Sequence, residues 1–154
     1  MNWRDGNVAS KKEKTVLVAG TFDLIHPGHL HLIEEAAKLG KVVVVVGTDA
    51  IVEKLKGHKP VIPEKQRLYV VSKLKGVDRA VLGHETLDFT KIIAEIGPDI
   101  ILLGPDQGPS EEKWAAMLAD KGLKIKVSRL DKRITDFPLT STTEIVAKIK
   151  KPAV

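Results

Sequence analysis

The stretch of residues 15–31, TVLVAGTFDLIHPGHLH, constrains the fold more than any other part of the sequence. It begins with a short apolar run, residues 16–19, that ends at a glycine, which is typical of a buried parallel strand. Pro27 suits the first position of a helix, where its missing N–H costs no hydrogen bond. The stretch therefore predicts a strand, a short turn and then a helix that begins at His26-Pro27.

Two histidines lie at this predicted helix start. His26 and His29 are three positions apart, so they share one face of the helix. Gly28 lies between them and, having no side chain, lets a ligand approach the backbone. The unpaired N–H groups of the first turn and the helix dipole favour a bound phosphate. The pair predicts a phosphate-binding, catalytic site. The alternatives are structural or solvated histidines, or half of a metal site, although the chain has no cysteine and no H-E-x-x-H sequence.

Composition limits the partners that such a site would have. The chain has 154 residues, enough for one domain, and a net charge of +5 that is spread along the sequence. Aromatic residues make up only 4%, so an anionic small molecule explains the surplus charge better than a nucleic acid. Residues 1–13 are polar and are expected to form a disordered arm before a domain at 14–150. The N-terminus lacks the apolar core of a signal peptide and no apolar run is long enough to cross a membrane, so a cytoplasmic location without membrane association is expected.

Strand and helix patterns alternate along the rest of the chain. Further strands are expected at 41–47, 79–82, 99–103 and 123–128, and further helices at 49–55, 64–74, 87–96, 111–122 and 141–149. This βαβ alternation predicts a single α/β domain, a doubly wound three-layer sandwich around a five-stranded, mostly parallel sheet.

A second phosphate site is indicated near the C-terminus. Thr140, Ser141, Thr142 and Thr143 are followed by Glu144, and Ser141 with Glu144 has the S-x-x-E pattern of a capping box. A helix start rich in hydroxyl groups also suits a phosphate. The two interpretations are compatible, because one hydroxyl can cap the helix while its neighbours hold a triphosphate.

Two loops complete the candidate site. Residues 54–63, KLKGHKPVIP, follow the second strand closely and can reach the carboxyl edge of the sheet, where open α/β sheets bind ligands. The alternative is an ordinary solvated loop. Residues 104–107, GPDQ, follow a buried strand, and their carboxylate and amide suit a ribose or a base edge; the alternative is a tight turn.

These motifs resemble a known family. GTFDLIHPGHL closely resembles the signature of the HxGH nucleotidyltransferase superfamily, which includes glycerol-3-phosphate cytidylyltransferase, phosphopantetheine adenylyltransferase and the archaeal FAD synthases. LGPDQ and KLKGHKPVIPEKQR are similar to the archaeal FAD synthases, and the resemblance runs from Thr15 to Ile149. The sequence FPLTSTTEI departs from the R-T-x-G-I-S-T-T pattern of relatives, because the motif arginine is absent from its usual place. Arg129, Lys132 and Arg133 are the candidates to replace it.

The resemblance implies a Rossmann-like fold and an enzyme that transfers AMP from ATP to FMN, giving FAD and pyrophosphate, with Mg²⁺ and as a homodimer. It implies catalytic roles for His26, His29 and Lys54. The implied nucleotide-binding residues are Gly20, Thr21, Phe22, His26, Gly28, His29, Gly104, Asp106, Gln107, Thr140, Ser141, Thr142 and Thr143. The implied acceptor- or phosphate-binding residues are Asp23, Lys56 and Arg67, and no residue is expected to be a metal ligand. Two alternatives remain open: a CTP-dependent cytidylyltransferase acting on glycerol 3-phosphate or a similar alcohol, and a non-catalytic nucleotide sensor.

Overall fold

The computed structural model describes residues 12–152, which form one five-stranded sheet with helices on both faces. The strands are β1 (Thr15–Gly20), β2 (Lys41–Val46), β3 (Arg79–Leu82), β4 (Ile100–Leu103) and β5 (Lys126–Arg129). The helices are α1 (Pro27–Ala37), α2 (Asp49–Lys56), α3 (Glu64–Ser72), α4 (Thr90–Ile96), α5 (Glu111–Asp120) and α6 (Thr142–Lys150). Residues 1–11 of the predicted arm lie outside the described residues. None of the helices within 12–152 is both long and apolar enough to span a bilayer.

The sheet has the order β3-β2-β1-β4-β5, and each of its pairs is parallel. The predicted fold class is confirmed, with a sheet that is parallel throughout rather than mostly parallel. β1 lies at the centre of the sheet. β2 and β3 lie on one side of it and β4 and β5 on the other, so the strand order reverses between β1 and β4. In an open parallel sheet the crevice outside the carboxyl ends of two such strands is where ligands bind.

Two apolar cores, one on each face of the sheet, explain the three layers. Val16 and Val18 of β1 point to the face covered by α1 and α3, whereas Leu17 points to the face covered by α4 and α5. Successive side chains of a strand alternate between faces, so strands buried on both sides need continuous apolar runs. The run KVVVVV of β2 meets this need.

Two elements begin three residues later than the sequence predicts, because of local hydrogen bonds. α4 begins at Thr90 rather than 87, since the Asp88 carboxylate accepts the N–H of Thr90 at 3.0 Å and closes a turn before the helix. β5 begins at Lys126 rather than 123, because the N–H of Leu123 donates to the carbonyl of Leu118 at 2.9 Å and completes the end of α5. β5 lies at one edge of the sheet, next to β4.

Candidate active site

A cleft of about 390 Å³ opens among the loops that follow β1 and β4. Its lining residues are Thr21, Phe22, Asp23, His26, His29, Val52, Lys56, His58, Pro60, Gly104, Pro105, Asp106, Gln107, Arg133, Ser141, Thr142 and Thr143. Twelve of these seventeen were singled out in the sequence as site residues. The structure thus brings together residues separated by more than a hundred positions in the chain.

The two histidines form the centre of the cleft. His26 is the N-cap residue of α1, and its ring stacks on that of His29 with the ring centroids 3.7 Å apart. The Nδ1 atom of each ring is buried and has no hydrogen-bond partner among the described residues. The Nε2 atoms are therefore the nitrogens left to meet a ligand.

Phe22 supports this stack from the turn after β1. Its ring lies 4.9 Å from the ring of His29, centroid to centroid, and its side chain is buried. Its φ of 52° places it in the left-handed region, which bulky residues rarely adopt. Gly20 is needed beside it, because a Cβ there would come within 3.0 Å of the Phe22 ring.

Burial keeps both histidines neutral. It lowers the pKa of His29 to about 3; the charge that His26 carries once it is protonated and the charge of Lys56 act in the same direction. Burial also lowers the pKa of His26, against the opposing effect of Glu144. In the ligand-free protein at neutral pH the pair is uncharged, and it can stabilise phosphate charge by donating N–H hydrogen bonds.

These lowered pKa values predict a stability loss in acid. Between pH 6.5, the ordinary pKa of His29, and its folded pKa of about 3, the unfolded chain binds a proton that the folded chain does not. The neutral His29 ring therefore makes its full contribution to stability above pH 6.5. The free energy of unfolding falls as the pH drops through this window, by up to about 1.4 kcal/mol per pH unit. Urea unfolding at pH 7 and pH 5 should show wild type losing about 2 kcal/mol more than His29→Ala. Equal losses in the two proteins would contradict the buried neutral state of His29.

The start of α6 faces the histidines across the cleft. Ser141 is its N-cap residue, and its hydroxyl accepts the N–H of Glu144 at 3.2 Å, as the capping box predicts. The Glu144 carboxylate accepts the N–H of Thr140 at 2.8 Å, and this hydrogen bond is the largest cause of the lowered pKa of Glu144. The hydroxyl of Thr142 donates to the carbonyl of Leu24 at 3.4 Å, which ties α6 to the turn before α1. The N-termini of two helices, α1 and α6, are thereby directed to one cleft, and both favour an anion.

Gly28 packs closely against the chain before α6. A Cβ at this position would lie 2.7 Å from the carbonyl oxygen of Thr140 and 2.9 Å from the His26 ring. The space that the glycine leaves is therefore filled by the chain before α6, and Gly28 does not line the cleft. Thr140 likewise lies behind the cleft, with its carbonyl against Gly28.

The loop after β4 is held by side chains of its own neighbourhood. The Gln107 side-chain amide donates to the carbonyl of Ala19 at 2.7 Å and accepts the N–H of Gly104 at 3.1 Å, so it bridges the ends of β1 and β4. The Arg129 guanidinium donates to the carbonyls of Gly104, at 3.0 Å, and Gln107, at 2.7 Å. Arg129 is thus occupied in shaping this loop.

Three residues are candidates to replace the missing motif arginine, and Arg133 is the one among them that lines the cleft. Its Nε atom lies 2.5 Å from the carboxylate of Asp106, and both side chains are more than half exposed. Exposed ion pairs contribute little to stability, so this one opens at small cost when an anion arrives. The sequence did not single out Val52, His58, Pro60 or Pro105, although the last three lie in the two predicted site loops. Apolar and loop positions give no individual chemical signal.

Three further predicted site residues lie elsewhere or are already engaged. The Arg67 side chain is completely buried behind the cleft and donates to Thr21, Ile62 and Asp49, whereas the resemblance implies a contact with the acceptor or a phosphate. Asp23 lines the cleft, but both of its oxygens accept backbone N–H groups. Lys54 donates to the carbonyl of Glu85 at 3.4 Å and does not line the cleft, whereas Lys56 does.

Comparison with known proteins places this fold and cleft in a family. The family model described as cytidylyltransferase-like matches residues 17–148, and the chain belongs to this family. FAD synthase from Methanobrevibacter smithii is 46% identical over 142 residues, covering 90% of this chain and 92% of the relative. FAD synthase from Aciduliprofundum boonei is 46% identical over 135 residues, covering 87% and 89%. The chain is therefore a nucleotidyltransferase of the archaeal FAD synthase group.

Solved structures agree on the fold. A protein from Thermoplasma volcanium described as a lipopolysaccharide core biosynthesis protein is 39% identical, with a TM-score of 0.75 over 80% of this chain and 99% of that one. Pantothenate synthetase from Thermus thermophilus, 17% identical, has a TM-score of 0.53 over 77% of this chain and 55% of that one. The second likeness concerns the fold alone.

Proposed function

We propose that the protein is an FMN adenylyltransferase, which transfers AMP from ATP to FMN and releases pyrophosphate. The observation that carries this proposal is the 43–46% identity to archaeal FAD synthases over about nine-tenths of the chain. The cleft supplies the chemistry that such a transfer needs, namely two helix N-termini and paired uncharged imidazoles around one space.

The reaction is an in-line displacement at the α-phosphorus of ATP. A phosphate oxygen of FMN forms a bond to that phosphorus, while the bond to the oxygen bridging the α- and β-phosphates breaks, and this oxygen leaves with the pyrophosphate. The FMN phosphate is already ionised near neutral pH, so the nucleophile needs no base to activate it. The protein has to position two anions and stabilise the charge that develops.

Residues on the two sides of the cleft contact different phosphates of ATP in this proposal. His26 and His29, uncharged and with Nε2 available, donate hydrogen bonds to the α- and β-phosphates as charge moves to the leaving group. Ser141, Thr142 and Thr143 hold the outer phosphates at the start of α6, together with Lys56 from the end of α2. Arg133, released from Asp106, adds a positive charge on the same side.

Mg²⁺ would enter the cleft with ATP, as part of the substrate, and would supply positive charge to the phosphates. The carboxylates that line the cleft are Asp23 and Asp106; Asp23 accepts two N–H groups and Asp106 pairs with Arg133. These donors do not fit a metal held by the protein alone. Mg²⁺ commonly keeps phosphate oxygens and water as its ligands, which suits this arrangement.

The remaining expectations belong to the same proposal. We place the catalytic domain at residues 14–150, and the family match at 17–148 supports this range. We propose a cytoplasmic homodimer that binds no nucleic acid. The exposed apolar side chains of Val61 and Tyr69 supply surface for association.

A chromatographic assay tests the proposed function. We expect FAD and an equal amount of pyrophosphate from ATP, Mg²⁺ and FMN, and no FAD when riboflavin replaces FMN, because the cleft binds one transferring phosphate and an acceptor that already has its own. CTP with glycerol 3-phosphate serves as the parallel reaction. CDP-glycerol formed there, with no FAD from FMN, would move the protein to the cytidylyltransferases. ATP binding without pyrophosphate release from any acceptor would indicate a sensor.

A further inference from the structure

We propose that a closed ring of hydrogen bonds through Arg67, Ile62 and Asp23 holds Phe22 in its strained conformation and thereby fixes the ring of His29 in the cleft. This inference rests on the proposed function, because it assigns positioning roles for that transfer. Neither Arg67 nor Asp23 touches the reacting groups in this account. Both act through Phe22.

Arg67 forms one side of the ring. Its side chain has no exposed surface, and each branch of the guanidinium donates to a different segment. Nε donates to the carbonyl of Ile62 at 2.8 Å, Nη1 to the carbonyl of Thr21, and Nη2 to the carboxylate of Asp49 at 2.6 Å. One buried side chain thus joins the turn after β1 to the loop before α3.

Asp23 closes the ring from the other end of the same turn. Its Oδ1 accepts the N–H of Ile62 and its Oδ2 accepts that of Val61, each at 2.8 Å. Ile62 is therefore held through its carbonyl by Arg67 and through its N–H by Asp23. Since Arg67 also holds Thr21, the residues on both sides of Phe22 are fixed to Ile62.

Phe22 is the residue that this ring constrains. Its φ of 52° is unfavourable for a residue with a large side chain, and such conformations persist only where the surroundings impose them. In this conformation its ring lies over Gly20 and against His29, 4.9 Å away. If the turn relaxed, the Phe22 ring would move and the stacked histidines would lose their support.

Stability alone does not account for the ring. Replacing a buried ion pair by apolar side chains of similar volume is often neutral or stabilising, because burying charge carries a large desolvation cost. A hydrogen-bonding arginine with no exposed surface is therefore better explained by the geometry that it enforces. Asp23→Asn keeps the shape of the side chain but leaves one N–H without an acceptor, and Arg67→Met keeps the volume without the donors.

The test compares Asp23→Asn and Arg67→Met with Val71→Ala, a control that weakens packing in the same helix as Arg67. We expect kcat for FAD formation to fall about 10²-fold in both ring variants, with KM for ATP changed much less, because a misplaced catalytic group affects mainly the transition state. Val71→Ala should lower the melting temperature without lowering kcat. In the ligand-free proteins, the NMR signals of the His29 ring should shift in the two ring variants and stay in place in Val71→Ala.

Three results would overturn the inference. Unshifted His29 signals, or shifted signals with a wild-type kcat, exclude a positioning role. A fall in kcat that Val71→Ala reproduces indicates general destabilisation. If Arg67→Met does not fold, Asp23→Asn decides alone. If wild type makes no FAD from ATP and FMN, the proposed function fails, and the NMR comparison still decides whether the ring holds His29.

Discussion

The His29→Ala variant is expected to fold and to make FAD about 10²–10³ times more slowly than wild type, the usual loss when one preorganised donor to a developing oxyanion is removed. His29 is stacked on His26 and is uncharged, so its contribution is a directed N–H rather than a diffuse positive charge. Because the hydrogen bond strengthens as charge reaches the leaving group, kcat should fall much more than KM rises.

The measurement is steady-state FAD formation, with circular dichroism to confirm the fold. His31→Ala is the matched control, since His31 belongs to the same helix but does not line the cleft. It should retain the activity of wild type. Near-normal turnover in folded His29→Ala would remove His29 from the mechanism.

Gly28→Ala is expected to lower both stability and activity. The added methyl group would meet the carbonyl of Thr140 at 2.7 Å and the His26 ring at 2.9 Å, and neither can move without displacing a wall of the cleft. Overpacking of this kind costs about 1–3 kcal/mol, and displacement of His26 and of the α6 start adds a loss of rate of about tenfold or more.

Gly104→Ala provides the comparison for stability. There the methyl group would meet only the Gln107 side chain at 3.7 Å, an ordinary contact. Thermal unfolding should separate the two variants, with Gly104→Ala close to wild type and Gly28→Ala several degrees lower. Equal melting temperatures for the two variants would show that the close approach of α1 to the chain before α6 does not affect stability.

The fold could be predicted because its determinants are local. The run of valines in β2, the alternation of strands and helices, Pro27 at the first turn of α1 and the capping box at Ser141 each specify an element from a few neighbouring residues. The boundaries that differ most, the starts of α4 and β5, depend on single hydrogen bonds that composition does not reveal.

Most of the residues that line the cleft could be named from the sequence, but their contacts could not. GTFDLIHPGH predicts which side chains would gather around a phosphate, yet nothing near Arg67 in the sequence distinguishes a buried donor from a solvated one. Its acceptors lie up to 46 positions away, and the partner of Asp23 lies 39 positions away. Such pairings arise from the folded topology and become visible only when the distant segments are placed together.

The placement of α6 has a consequence for the order in which this protein becomes functional during synthesis. The five strands are complete at Arg129, and α6 contributes no buried residue. When the chain has left the ribosome as far as Arg129, all five strands have been released. Of the two helix N-termini that face the cleft, only that of α1 has then been released. The nucleotide site is therefore finished by the last segment of the domain to emerge, on a scaffold that does not need that segment to bury its core.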